Sequence, residues 1–246
     1  MSLEFVLVHG MSHGGWAWDL LQRRLEKDGH RVVAPDLPGH GRRAHERRTA
    51  SVERYARAVA DAAIAAGLSR AIVVGHSMAG VVIPRVAELI PARVERLVFL
   101  AAVVLPHGES LLQAHLTPAA AQMMRGLAAA GDGAVQCPAL FEWSRWMSDL
   151  PLGDPRVSEA LPRLTPQPLE PLGQPVDMRS FAALRVPRAY IRCLRDAAIP
   201  PARAAEYAAR LGVTPIDLDC AHNPMLSAVD ALATILTGLG KDSRWD

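Results

Sequence analysis

The sequence has few cysteines, no long hydrophobic run and almost no excess of charge, and each shortage closes off a class of function. Its three cysteines, Cys137, Cys193 and Cys220, are odd in number and widely spaced. That pattern fits reduced thiols better than a disulfide framework or a zinc site. No stretch approaches the roughly 20 apolar residues needed to span a bilayer. The amino terminus passes from Met1-Ser2-Leu3-Glu4 straight into Phe5-Val6-Leu7-Val8, without the basic region, apolar stretch and small-residue cleavage site of a signal peptide. A formal charge of +2 is too small to imply a polyanionic partner. The short cluster Arg42-Arg43 and Arg47-Arg48 reads as a solvated loop more readily than as a nucleic-acid surface. Phosphate loops of the G-x-x-x-x-G-K-[ST] and G-x-G-x-x-G kinds are missing, and so is metal-ligand spacing such as H-E-x-x-H. The expectation is a cytoplasmic protein that needs no metal, cofactor, membrane or nucleic acid.

What is present is an ordinary globular balance. Half of the 246 residues are hydrophobic and 21% are charged, enough to bury one sizeable core. Short apolar runs predict strands at Glu4 to Val8, Arg31 to Ala34, Arg70 to Val74, within Val94 to Val104, at Val186 to Leu194 and at Val213 to Leu218. Between them, helical spacing predicts helices over Trp16 to Lys27, Val52 to Ala66, Ala79 to Leu89 and Pro201 to Leu211, with a closing helix from about Pro224 to Leu239. Such alternation predicts an α/β fold with a mostly parallel sheet covered by helices on both faces. The rhythm breaks over residues 106–185, rich in Met, Trp and proline. That many prolines cannot sit in central strands, so this segment reads as an irregular insertion, a cap, between two core parts, 1–105 and 186–246. The tail from Lys241 to Asp246 looks frayed.

Three places carry chemistry. Val73-Val74-Gly75-His76-Ser77-Met78-Ala79-Gly80 joins a strand directly to a helix, the setting of a nucleophile elbow, where small residues must flank the serine two positions either side. Gly75 and Ala79 meet that need, and the backbone N–H of Met78 would face a developing oxyanion. The plain alternative is a serine capping an ordinary turn. His9-Gly10-Met11-Ser12-His13-Gly14-Gly15 follows the first strand and offers the Met11 N–H as a second oxyanion donor. His13 is placed either to contact a substrate carbonyl or alcohol or to make a purely structural hydrogen bond.

In a hydrolase of this layout the base and acid follow the serine in the order acid, histidine. His222 comes after the last strand, whereas His107 and His115 precede or enter the insertion. Asp196 lies just beyond the preceding strand. Asp217 and Asp219 are rivals, but they belong to the strand leading into His222. Serine is a weak nucleophile until a base takes its proton, and the imidazolium so formed needs an anion beside it. Ser77, His222 and Asp196 are therefore the candidate triad.

These blocks carry a resemblance. His9-Gly10-Met11-Ser12-His13-Gly14-Gly15-Trp16, Gly75-His76-Ser77-Met78, Asp196-Ala197-Ala198-Ile199-Pro200 and His222-Asn223-Pro224-Met225-Leu226 resemble the methylesterase and hydroxynitrile lyase branch of the α/β-hydrolases, bacterial pyrethroid-hydrolase-type carboxylesterases included. The likeness is weakest over 106–160. It implies hydrolysis of a small hydrophobic methyl or aryl ester through an acyl-enzyme, and a homodimer as a candidate assembly. The lyases carry threonine after the oxyanion-loop histidine and lysine after the catalytic histidine. Gly10 and Asn223 stand there instead, which favours hydrolysis. Relatives often have aspartate before the catalytic histidine, where this chain has Ala221. The other readings on the same scaffold are a lactonase, a lyase and a ligand-binding homologue without turnover. Met123, Met124, Leu140, Phe141, Trp143, Trp146 and Met147 either line an apolar acyl pocket or glue the insertion to the body. Met123, Trp143 and Trp146 are the substrate-binding candidates, alongside His13.

Overall fold

The computed structural model describes residues 2–241. Six strands form one sheet in which every neighbouring pair is parallel: β1 (Glu4–Val8), β2 (Arg31–Val33), β3 (Ala71–His76), β4 (Val94–Leu100), β7 (Arg188–Cys193) and β8 (Ile216–Leu218). Their order is β2-β1-β3-β4-β7-β8. The central strands are apolar because both faces are covered, as parallel sheets require. Alternate residues divide between the faces. Val6, Val8, Val73, Leu97, Phe99 and Tyr190 enter one buried cluster, while Phe5, Leu7, Ile72, Val74, Val98, Leu100 and Ile191 enter another.

The first cluster is closed by helices α2 (Val52–Ala65), α3 (Ile83–Leu89) and α10 (Pro201–Arg210), and the second by α1 (Asp19–Lys27), α11 (Pro224–Ser227) and α12 (Val229–Lys241). Helix α2 starts at Ser51, whose hydroxyl accepts from the Arg54 N–H. The helix expected immediately after Ser77 opens instead as a 3-10 turn, Ser77–Val81, before α3. The closing helix is broken at Ala228 into two pieces. Of the expected frayed tail, Lys241 ends α12, and 242–246 lie outside the described residues. No helix among the described residues is long and apolar enough to cross a membrane.

Between β4 and β7 the chain is far more regular than its prolines suggest. It forms six short helices: α4 (Leu111–Ala114), α5 (Pro118–Ala130), α6 (Ala139–Trp146), α7 (Pro155–Ala160), α8 (Glu170–Gly173) and α9 (Arg179–Ala183). Two further strands, β5 (Ala134–Val135) and β6 (Gln167–Pro168), pair antiparallel. Pro118, Pro155 and Pro171 occupy the first turns of their helices, where the missing N–H costs nothing. Proline here starts helices instead of interrupting them.

Candidate active site

Ser77, Met78, Asp196, His222, Met11 and His13 sit beyond the carboxyl ends of the strands, where open parallel sheets place their sites, whereas Met123, Trp143 and Trp146 lie on α5 and α6. β3 ends at His76, and the next residue, Ser77, has a φ of +54°. A non-glycine residue held in this left-handed region is strained, and the surroundings must enforce it. They do so by crowding. A Cβ on Gly75 would lie 2.8 Å from Ile83 Cγ2, and one on Gly10 would lie 2.8 Å from Ser77 Cβ. Gly80 has no room either, because the Val103 carbonyl fills the space. The Ser77 carbonyl accepts from the Val103 N–H at 3.0 Å, fixing the elbow to the segment after β4.

Ser77, His222 and Asp196 form one line of hydrogen bonds. The Ser77 hydroxyl donates to His222 Nε2 at 2.9 Å, and His222 Nδ1 donates to Asp196 Oδ2 at 2.7 Å. The other carboxylate oxygen accepts from the N–H groups of Ala198 and Ile199 at 2.7 and 2.8 Å. Asp196 is thus both a turn residue and the imidazole's partner. His222 and Asp196 are buried, whereas Ser77 is only half-buried, so its hydroxyl is the reachable end of the line. Asp217 and Asp219 pair with Arg192 and Arg195 on the surface.

Two residues outside the predicted set hold His222. His76 Nε2 donates to the His222 carbonyl at 2.9 Å, and the two rings lie 4.7 Å apart. Burial and the neighbouring His222 keep His76 neutral, its pKa well below the usual histidine value. On the other side, Asp149 Oδ2 accepts from the Ala221 N–H at 2.8 Å. This carboxylate, from the segment between β4 and β7, supports the residue before the base. His76 adjoins the serine in sequence and could have been suspected; Asp149 has no sequence signal.

His13 does not fit the substrate contact considered for it. Its Nδ1 donates to the Met11 carbonyl at 2.6 Å, and its Nε2 accepts from Asn223 Nδ2 at 3.0 Å. Both nitrogens are used inside the protein, and burial lowers its pKa to about 4. It works as a neutral rivet between the Met11 loop and the residue after His222, stacked on Trp16 at 5.4 Å. Trp146 packs on the same ring at 5.2 Å, and its carbonyl accepts from the Asn223 N–H. Trp143 spends its indole N–H on the Leu150 carbonyl and packs against the second core cluster, which is the glue role. Met123 is 55% exposed on α5, whereas Met124 turns into the core. Adjacent positions on a helix point about 100° apart, so one can face inward while its neighbour faces out. Leu140 and Phe141 are likewise exposed, while Met147 is buried in the second cluster.

The alpha/beta hydrolase family model matches residues 5–235. The chain belongs to this family. A carbendazim-hydrolyzing esterase of Nocardioides is 33% identical, over 96% of this chain and 99% of its own. The pyrethroid hydrolase of Sphingobium wenxiniae is 30% identical, over 94% and 85%. Among solved structures, an extracellular alpha/beta-hydrolase of Paenibacillus, described as sharing structural and functional homology with tobacco salicylic acid binding protein 2, superposes with a TM-score of 0.88. It is 26% identical, covering 98% of this chain and all of that one. A pyrethroid hydrolase of Sphingobium faniae follows at 0.80 and 27%, with 99% of both chains covered. The fold expected from the sequence is therefore the fold of the family.

Proposed function

We propose that the chain is a serine esterase that cleaves small hydrophobic carboxylic esters through an acyl-enzyme. The observation that carries this reading is the line Ser77 Oγ–His222–Asp196, at 2.9 and 2.7 Å, on a strained elbow in a family whose named relatives here are esterases and hydrolases.

Ser77 Oγ attacks the ester carbonyl while His222 Nε2 takes its proton, and Asp196 stabilises the imidazolium. The Met78 N–H belongs to the first turn after Ser77, where backbone donors have no partner within the helix, and the Met11 N–H is the second donor to the oxyanion. Removing one such donor commonly costs about 3 kcal/mol of transition-state stabilisation. The tetrahedral intermediate collapses as His222 returns the proton to the leaving alcohol. Water, activated by the same imidazole, then releases the acid. Residues 106–185 act as a cap, with Trp146 over the His13 ring.

The backbone at Gly10 leaves no room for the lyases' threonine. A threonine there would drive its Cβ to 2.8 Å from Ser77 Cβ. Asn223, at the position of the lyases' lysine, is committed to His13. Two buried free thiols, Cys193 and Cys220, suit a reducing cytoplasm. Turnover of short-chain p-nitrophenyl esters, measured beside Ser77→Ala, tests the proposal. The variant is expected to lose at least about a thousandfold in kcat; a wild type inert on open-chain and cyclic esters alike refutes it.

A further inference from the structure

Helix α6 has an inverted pattern of burial. Leu140 and Phe141 are 63% and 47% exposed, yet Glu142 is only 2% exposed and is the one buried residue of the helix. The Glu142 carboxyl has no hydrogen bond or ion pair with any described residue. A carboxylate buried without a partner is expensive, and a fold keeps one only where something compensates. Its oxygens are not among the fully sealed, unpartnered atoms, which belong to Trp16, Trp18, Tyr55, Glu88 and Asn223. They therefore border a space that water or a ligand can enter.

The anchors of α6 say where that space is. Arg145 donates to the carbonyl of Ala198, two residues after Asp196. The Trp146 carbonyl accepts from the N–H of Asn223, the residue after His222. The Trp146 ring lies on His13, in the loop that carries Met11. The carboxyl end of α6 is thus anchored beside the loops that carry Asp196, His222 and Met11, and Glu142 lies one helical turn before Trp146 on the same side of the helix. Burial raises the Glu142 pKa to about 7, and the neighbouring titratable group is the Cys137 thiol, which is itself pushed up.

We propose that Glu142 is a substrate-binding residue, and that it selects esters whose acyl or alcohol part carries an N–H donor remote from the ester bond. This rests on the esterase reading for the site's chemistry, but the recognition is separate from the triad. A donor reaching the carboxyl satisfies it in a setting largely shielded from bulk water, where a charge-assisted hydrogen bond is strong. An isosteric methyl group leaves it unpaired.

The test uses a matched pair, methyl 3-(4-aminophenyl)propanoate and methyl 3-(4-methylphenyl)propanoate. Their binding is measured by tryptophan fluorescence and calorimetry on Ser77→Ala protein, which is not expected to consume them. The amino compound is expected to bind about tenfold tighter than the methyl one at pH 8. With Glu142→Leu added, that preference should vanish or invert while the methyl compound still binds. If the leucine variant does not fold, Glu142→Gln decides, with an expected drop in preference of about threefold. Equal affinities for the two compounds, or a preference unmoved by both substitutions, overturn the proposal. Turnover of the same pair by the Ser77 protein is read separately. Selective binding without hydrolysis leaves Glu142 in its role and removes the esterase.

Discussion

Glu142 and Asp149 show how single carboxylates of the inserted segment affect the whole fold. The raised pKa of Glu142, about 7 against 4.5, means that the folded state binds its proton more tightly than the unfolded chain does. Stability is therefore lost as pH rises from about 4.5 to about 7, and the loss levels off above that. The penalty at pH 8 is at most about 3 kcal/mol. Glu142→Gln is expected to stabilise the protein by roughly 1–3 kcal/mol at pH 8 and clearly less at pH 5, as denaturant titrations at both values will show. Asp149 has the opposite character, since it satisfies the Ala221 N–H. Asp149→Ala should cost about 1–2 kcal/mol of stability. Because it frees the residue before His222, it should also lower kcat roughly tenfold with little change in KM. The serine, histidine and aspartate were legible from the elbow pattern and chain order, because each lies within four residues of the end of a strand. Asp149 was not, because its partner is 72 residues away across an insertion whose path no local pattern reveals.

The elements that meet at the site were readable to different degrees. β1, β3 and β4 announce themselves as apolar runs because both their faces are buried. α4 to α9 did not, because their prolines look like breakers until their helix-start positions are known. Helical patterning also failed to separate Met123 from Met124, since a mainly alanine helix gives few cues to its inward side. The contact between the β1 loop and the elbow is one of the close meetings. Gly10→Ala places a methyl group 2.8 Å from Ser77 Cβ, so either the elbow or the Met11 loop must move. The expected result is a fall of at least about a hundredfold in kcat/KM, given the cost of misplacing one oxyanion donor, in a protein whose circular dichroism is unchanged. Wild-type activity in Gly10→Ala would show that the packing of loop on elbow does not matter to the reaction.

Across the whole molecule, buried histidines tie the loops at the carboxyl end of the sheet together. His9 donates from Nδ1 to the Gly10 carbonyl and accepts the Leu37 N–H at Nε2. His40 bonds to Gln167 of the inserted segment, and His13 and His76 hold the surroundings of His222. Burial lowers the pKa of all four. The unfolded chain then binds more protons than the native state below about pH 6.5, so stability falls as pH drops from there through the folded values, about 4 for His13. His13 alone contributes about 2 kcal/mol of loss by pH 5, and His9, His40 and His76, lowered in the same direction, add to it against the relief from Glu142. A melting temperature that drops steeply between pH 6.5 and 5 is the expected outcome, and a flat profile would show that these rings are not held neutral. Composition counts histidines but cannot tell buried from exposed ones, so this property was not legible in the sequence. The central claim, that Ser77 attacks and carries the acyl group, is tested most directly by intact-protein and peptide mass spectrometry after treatment with a fluorophosphonate ester. One phosphonyl group per chain on Ser77, lost in Ser77→Ala and strongly slowed in His222→Ala, is the predicted result. Labelling elsewhere at the same rate, or an unlabelled Ser77 in a protein that still hydrolyses esters, would contradict it.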